Sequence, residues 1–209
     1  MNRFERASRT TRRRSTVRAA GVLLLVAVLA GAAGGCSTTR GLSSTYRDPE
    51  IDLSLVQTVA VLPFVNLTAD DKAGERVRDV FSTMMQATGA VYVVPPGEVA
   101  KALGRTRTAS GSDPSPEEIT AIGSSVKADV VVTGVVREYG QVRSGNSTAN
   151  TIALSVKIFA SESGKVIWSG ASTAGGVTAS DRFFGGGGEP MELVTEDALT
   201  DLIDQIFQQ

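Results

Sequence analysis

The chain of 209 residues contains no histidine and a single cysteine, Cys36. The first absence removes the commonest general base and the commonest metal ligand together. A lone cysteine cannot close a disulfide within the chain, and it leaves no thiolate cluster for a zinc site. A hydrolase would need a nucleophile beside a base, so only carboxylate or lysine chemistry would remain to one. Basic charge is also short once the N-terminus is set aside. Residues 3–18 hold seven of the 21 lysines and arginines but only one of the 22 acids, Glu5, leaving 14 basic against 21 acidic residues beyond them. A mildly acidic domain is poorly suited to nucleic acid or anionic headgroups, which demand dense positive charge.

What is present begins with that basic head. Arg3, Arg6, Arg9, Arg12, Arg13, Arg14 and Arg18 precede an apolar run over 19–35, which ends in Gly31-Ala32-Ala33-Gly34-Gly35 ahead of Cys36. A basic head, a short apolar segment and small residues at the cut are the parts of a secretory signal. With cysteine as the next residue, the pattern is similar to a bacterial lipoprotein signal, in which the thiol takes a diacylglyceryl group. Two readings compete: a buried core cysteine, for which Gly35, Ser37, Thr38 and Thr39 offer no apolar periodicity, and a membrane anchor. The run has only 17 residues, four of them glycine, at the low edge for a span. The doublet Arg12-Arg13 lacks the hydrophobic pair of a twin-arginine signal. The expected organisation is a signal over 1–35, a lipidated cysteine and flexible tether over 36–52, and a periplasmic domain over 53–209.

The hydropathy pattern then alternates between strand and helix. Residues 55–64 are β-branched and apolar, as in a strand buried on both faces, with Pro63 near its end. A helix is expected over 70–88, a short strand over 91–94 and a short helix over 97–103. Ser115-Pro116-Glu117-Glu118 is a helix start, with a Ser cap, Pro in the first turn and acids at the positive end. Residues 128–136 read as a second buried strand. In 151–159 the period becomes two, and Glu162-Ser163-Gly164-Lys165 turns the chain into a hairpin partner over 166–172. Residues 190–207 carry the apolar stripe of an amphipathic helix. The segments 104–114 and 137–150 read as polar loops. The fold class is α/β: a single sandwich with a mixed sheet, parallel early and antiparallel in its C-terminal hairpin, closed by an amphipathic helix.

Other motifs have two readings each. Phe183-Phe184 beside Gly185-Gly186-Gly187-Gly188 is either an apolar tip that docks on a partner or a linker whose rings fold back onto the core. A phosphate cradle at these glycines is disfavoured by Glu189, Pro190 and Glu192, and no cofactor is expected. Trp168 is mid-strand and suits core packing. Asp70-Asp71 and Glu196-Asp197 are adjacent in sequence, so they do not face one another on a helix as a catalytic pair would.

The order of Thr58-Val59-Ala60-Val61-Leu62-Pro63-Phe64, Ala128-Asp129-Val130-Val131-Val132 and Glu162-Ser163-Gly164-Lys165-Val166-Ile167-Trp168, taken with Cys36, resembles the CsgG/PelC/LpoB-like periplasmic domain. That domain is shared by curli-export, Pel-polysaccharide and penicillin-binding-protein-activator lipoproteins. The resemblance implies a non-enzymatic outer-membrane lipoprotein of envelope export or assembly, working with other envelope proteins and often as a homo-oligomer. The polar segments 104–114 and 137–150 cannot supply the lipid-facing strands of a curli-type barrel. An activator of a peptidoglycan synthase is the alternative, for which the tether is short. Ser37, rather than Asp, after the lipidated cysteine points to outer-membrane sorting.

Overall fold

Val59, Ala60, Val61 and Leu62 send alternate side chains into two different cores, and this one stretch shows why the domain has three layers. The computed structural model describes residues 45–108, 113–177 and 188–207. All belong to the unit Gly41–Gln209. Among them are strands β1 (Tyr46–Arg47), β2 (Thr58–Val61), β3 (Val65–Asn66), β4 (Tyr92–Val93), β5 (Val130–Ser144), β6 (Ser147–Ala160) and β7 (Val166–Gly175). The helices are α1 (Ala73–Ala87), α2 (Pro96–Thr106), α3 (Pro116–Val126) and α4 (Met191–Phe207), with a 3-10 turn at Leu53–Leu55.

The sheet order is β1-β7-β6-β5-β2-β4, with β3 also on β5. Strands β2, β3 and β4 join in parallel, whereas β5, β6, β7 and β1 run antiparallel. The expected mixed α/β sheet is therefore present. Val59, Val61, Val130 and Val132 face α1 and α4, where Phe81, Leu199 and Leu202 are fully buried. Ala60, Leu62 and Val131 face α2 and α3, packing on Val99, Ile119 and Ile122. Trp168 has no exposed surface and belongs to the first core.

Several boundaries differ from the sequence reading, each for a local reason. The stretch 55–64 is not one strand. Asp52 caps the turn at Leu53–Leu55 by accepting from the Ser54 N–H at 2.9 Å, and Pro63 has no N–H to give the ladder. Three residues between Val61 and Val65 face two between Val132 and Val135, so the break is a bulge of one residue. Helix α1 begins at Ala73 rather than 70, because the Asp70 carboxylate accepts from the Lys72 N–H at 2.9 Å and forms a turn ahead of it. Helix α3 has the full capping box: the Ser115 hydroxyl accepts from the Glu118 N–H, and the Glu118 carboxylate accepts from the Ser115 N–H.

The segment 137–150 is not a loop. It forms the outer half of the β5–β6 hairpin, closed by the two-residue turn Gly145-Asn146, with Ser144 opposite Ser147 and Gly145 at φ 62°. Order also starts before residue 53. Tyr46 and Arg47 pair with Ser169 and Trp168 as an edge strand, within the stretch expected to be tether.

Candidate functional site

The helices α2 and α3 cover only part of their face of the sheet. Past Val131, the residues of β5 on that face are Thr133 and Val135, paired with Lys157 and Ser155 of β6. None of these four belongs to the core under α2 and α3. Next on β5 is Arg137. The register shifts between Val136 and Glu138, which leaves Arg137 as the unpaired residue of a bulge. Such a bulge bends the strand and redirects its side chain.

These residues border a pocket of about 300 Å³. Leu62, Pro63, Val65, Leu67, Leu103 and Val135 make it apolar, and Thr108, Thr133 and Ser155 also line it. Its charges are Arg137, Lys157 and Asp113. The Lys157 ammonium donates to the Asp113 carboxylate at 3.1 Å, in a pair open to solvent; exposed pairs of this kind are weak and easily exchanged. Arg137 is exposed and forms no ion pair among the described residues. The pocket is thus an apolar hollow beside two cations, a geometry that holds an apolar group flanked by anions.

A second hollow, of about 810 Å³, lies between α1, the start of α4 and the base of the hairpin arm. Asp70, Asp79, Glu192 and Glu196 surround it, with Arg76 and Tyr139. Arg76 bonds Asp70 at 2.8 Å. The negative charge of Asp70, and then the Tyr139 hydroxyl, raise the guanidinium above its ordinary pKa, so it is a fixed cation. At the edge of this hollow, the Asn150 side chain donates to the Glu189 carbonyl at 2.7 Å, and the main-chain carbonyl of Asn150 accepts from the Gly176 N–H at 2.8 Å.

Of the residues singled out in the sequence, Cys36, Phe183 and Phe184 lie outside the described residues. Trp168 is core. Asp70 forms the turn before α1, Asp71 is exposed, and Glu196 and Asp197 lie on the solvated side of α4. Among the described residues, no group of three acidic, cysteine or histidine side chains is arranged to hold a metal ion. Arg137, Lys157 and Asp113 were not singled out. The signal that would have found Arg137 is the turn dipeptide Gly145-Asn146, which marks a hairpin and makes 137–144 a strand.

No family model and no curated protein matches the chain in sequence. Its fold is similar to that of several solved bacterial proteins, one of them a lipoprotein. The PelC dodecamer from Paraburkholderia phytofirmans superposes with a TM-score of 0.54 at 16% identity, over 81% of this chain and 100% of that one. The lipoprotein GNA1162 from Neisseria meningitidis superposes with a TM-score of 0.51 at 18% identity, over 72% of this chain and 97% of that one. The LpoB C-terminal domain from Salmonella enterica gives a TM-score of 0.43 at 15% identity, over 56% of this chain and 81% of that one. At these identities the likeness to PelC and GNA1162 establishes the fold alone. Among the described residues, no helix is long and apolar enough to cross a membrane.

Proposed function

We propose that this chain is an outer-membrane lipoprotein, lipidated on Cys36 and facing the periplasm, which acts by binding within cell-envelope export or assembly and works as an oligomer. The observation that carries the reading is the coincidence of a lipoprotein signal ahead of Cys36 with a fold shared by the lipoprotein GNA1162 and by PelC, solved as a dodecamer. The lipid would anchor stably, because a diacylglyceryl group and an added acyl chain exceed the single chain that binds only reversibly.

Strand β1 adds support for a domain held close to its anchor. Cys36 and Thr45 are nine residues apart, which reach at most about 30 Å when fully extended. The hairpin arm supports a scaffold over a barrel. Arg137, Gln141 and Arg143 alternate with Glu138, Val142 and Ser144, so neither side of the arm is an apolar stripe fit for lipid. Phe183 and Phe184 are proposed as a further partner-docking element. A double Phe183→Ser, Phe184→Ser variant should lose function with an unchanged melt; a melt lowered by several degrees would assign the rings to the core.

The test of the anchor is metabolic labelling with a palmitate analogue. The wild-type chain should take up label and fractionate with the outer membrane. Cys36→Ser should take up none, and label retained by that variant would end the lipoprotein reading.

A further inference from the structure

We propose that the pocket beside Arg137 receives Leu193 from a second copy of this chain, so that copies join head to tail. The inference rests on the oligomeric reading above and assigns its contact surfaces.

Helix α4 carries five acids, Glu192, Glu196, Asp197, Asp201 and Asp204, and no lysine or arginine. On its solvated side Leu193 is 50% exposed. The exposed acids Glu196 and Asp197, three and four residues on, are its neighbours on the helix surface, and the exposed Glu189 and Glu192 precede it at the helix start. Acids near the start of a helix are favoured by its dipole. That accounts for Glu189 and Glu192, but not for an exposed leucine among them or for a helix wholly without bases.

The pocket is the complement of this knob. It is apolar within, has Leu67 64% exposed at its edge, and is flanked by Arg137 and by Lys157, whose exposed pair with Asp113 the incoming acids would exchange. The two surfaces cannot meet within one chain, because α4 packs on one face of the sheet and the pocket opens on the other. A contact between unlike surfaces is heterologous. It repeats from copy to copy, closing into a ring where the rotation permits. The charges steer the approach and set the register, while burial of Leu193 and Leu67 supplies the apolar contact.

The experiment uses the full chain in detergent with Cys36→Ser, so that introduced cysteines are the only thiols. Leu67→Cys combined with Leu193→Cys should give a ladder of covalent multimers under mild oxidation, and neither single variant should give more than a dimer. Arg137→Glu with Lys157→Glu should weaken association about tenfold or more by sedimentation, and adding Glu192→Lys with Glu196→Lys should restore it. Circular dichroism melts of each variant report folding separately. A wild-type multimer with no ladder from the cysteine pair, and no response to charge reversal, overturns this interface and leaves the oligomeric reading intact. A wild-type monomer at every concentration overturns both.

Discussion

The guanidinium of Arg47 donates to the main-chain carbonyl of Ile206 at 2.7 Å, and to that of Gln205 at 3.1 Å. The last turn of a helix leaves carbonyls without intrahelical partners and carries partial negative charge, so a cation there answers both needs. Thr45 adds a bond from its hydroxyl to the Gln205 side chain. The first strand of the domain is thereby fastened to the end of its last helix, some 160 residues away in sequence.

Arg47→Ala should lower stability by about 1–2 kcal/mol, the range for charge-assisted bonds at a helix end. For a domain of this size that is a fall in melting temperature of roughly 2–8 °C. Arg47→Lys should recover only part of it, since an ammonium keeps the charge but loses the planar fork. Thermal melts of the two variants decide; equal losses would mean that charge at the helix end contributes nothing.

A second long-range tie holds the parallel part of the sheet. One Asp129 carboxylate oxygen accepts from the N–H groups of Gln57 and Thr58, at 2.9 and 2.8 Å. These donors stand at the start of β2, so the side chain fixes how β2 and β5 begin together. Asp129→Ala should destabilise by about 1–3 kcal/mol in urea denaturation, and amide exchange at Gln57 and Thr58 should accelerate. Unchanged exchange at those two amides would show that the ladder alone aligns the strands.

Much of this architecture is written in local patterns. The start of β5, Val130–Val132, is apolar on both sides because helices cover both there; β6 alternates because one side opens to solvent; Ser115 and Glu118 announce their helix by spacing alone. The misread parts are those that depend on distant partners. Tyr46 and Arg47 have no periodicity, and only pairing with Ser169 and Trp168 makes them a strand. Beyond Arg137 the hairpin arm is polar on both sides, so hydropathy is silent and only Gly145-Asn146 reports it. The pocket was hidden for the same reason, because Arg137 reaches it through a bulge, and a bulge shows itself only against a partner strand.

The turn that precedes β2 predicts a pH effect. The Ser54 hydroxyl, and then the Ser54 N–H, hold the Asp52 carboxyl below its ordinary pKa. A carboxyl depressed in the folded state stabilises that state above the unfolded pKa, and the contribution fades as pH falls through the folded value. Ser54→Ala should therefore raise the Asp52 midpoint in an NMR titration while leaving it below the unfolded value, because the N–H remains. A midpoint unmoved by the substitution would assign the depression to the N–H and the nearby charge of Arg47.

Gly134 offers the sharpest packing test. A Cβ built on it would lie 2.7 Å from three carbons of the Phe64 ring, far inside van der Waals contact. The ring has little room to withdraw, because it is itself buried and packs against the fully buried Phe81 with ring centroids 5.8 Å apart. Gly134→Ala should thus cost about 1–3 kcal/mol through overpacking, although alanine suits a strand better than glycine does. Phe64→Leu removes the ring that the methyl would strike, at the expense of a cavity. Combining the two should be less damaging than the sum of the single losses, with a coupling of about 1 kcal/mol or more between residues in contact. Denaturant melts of the two single variants and the double variant measure that coupling directly. Strictly additive losses would show that the ring does not press on the position of the missing methyl, and that Gly134 is there for some reason other than room for Phe64.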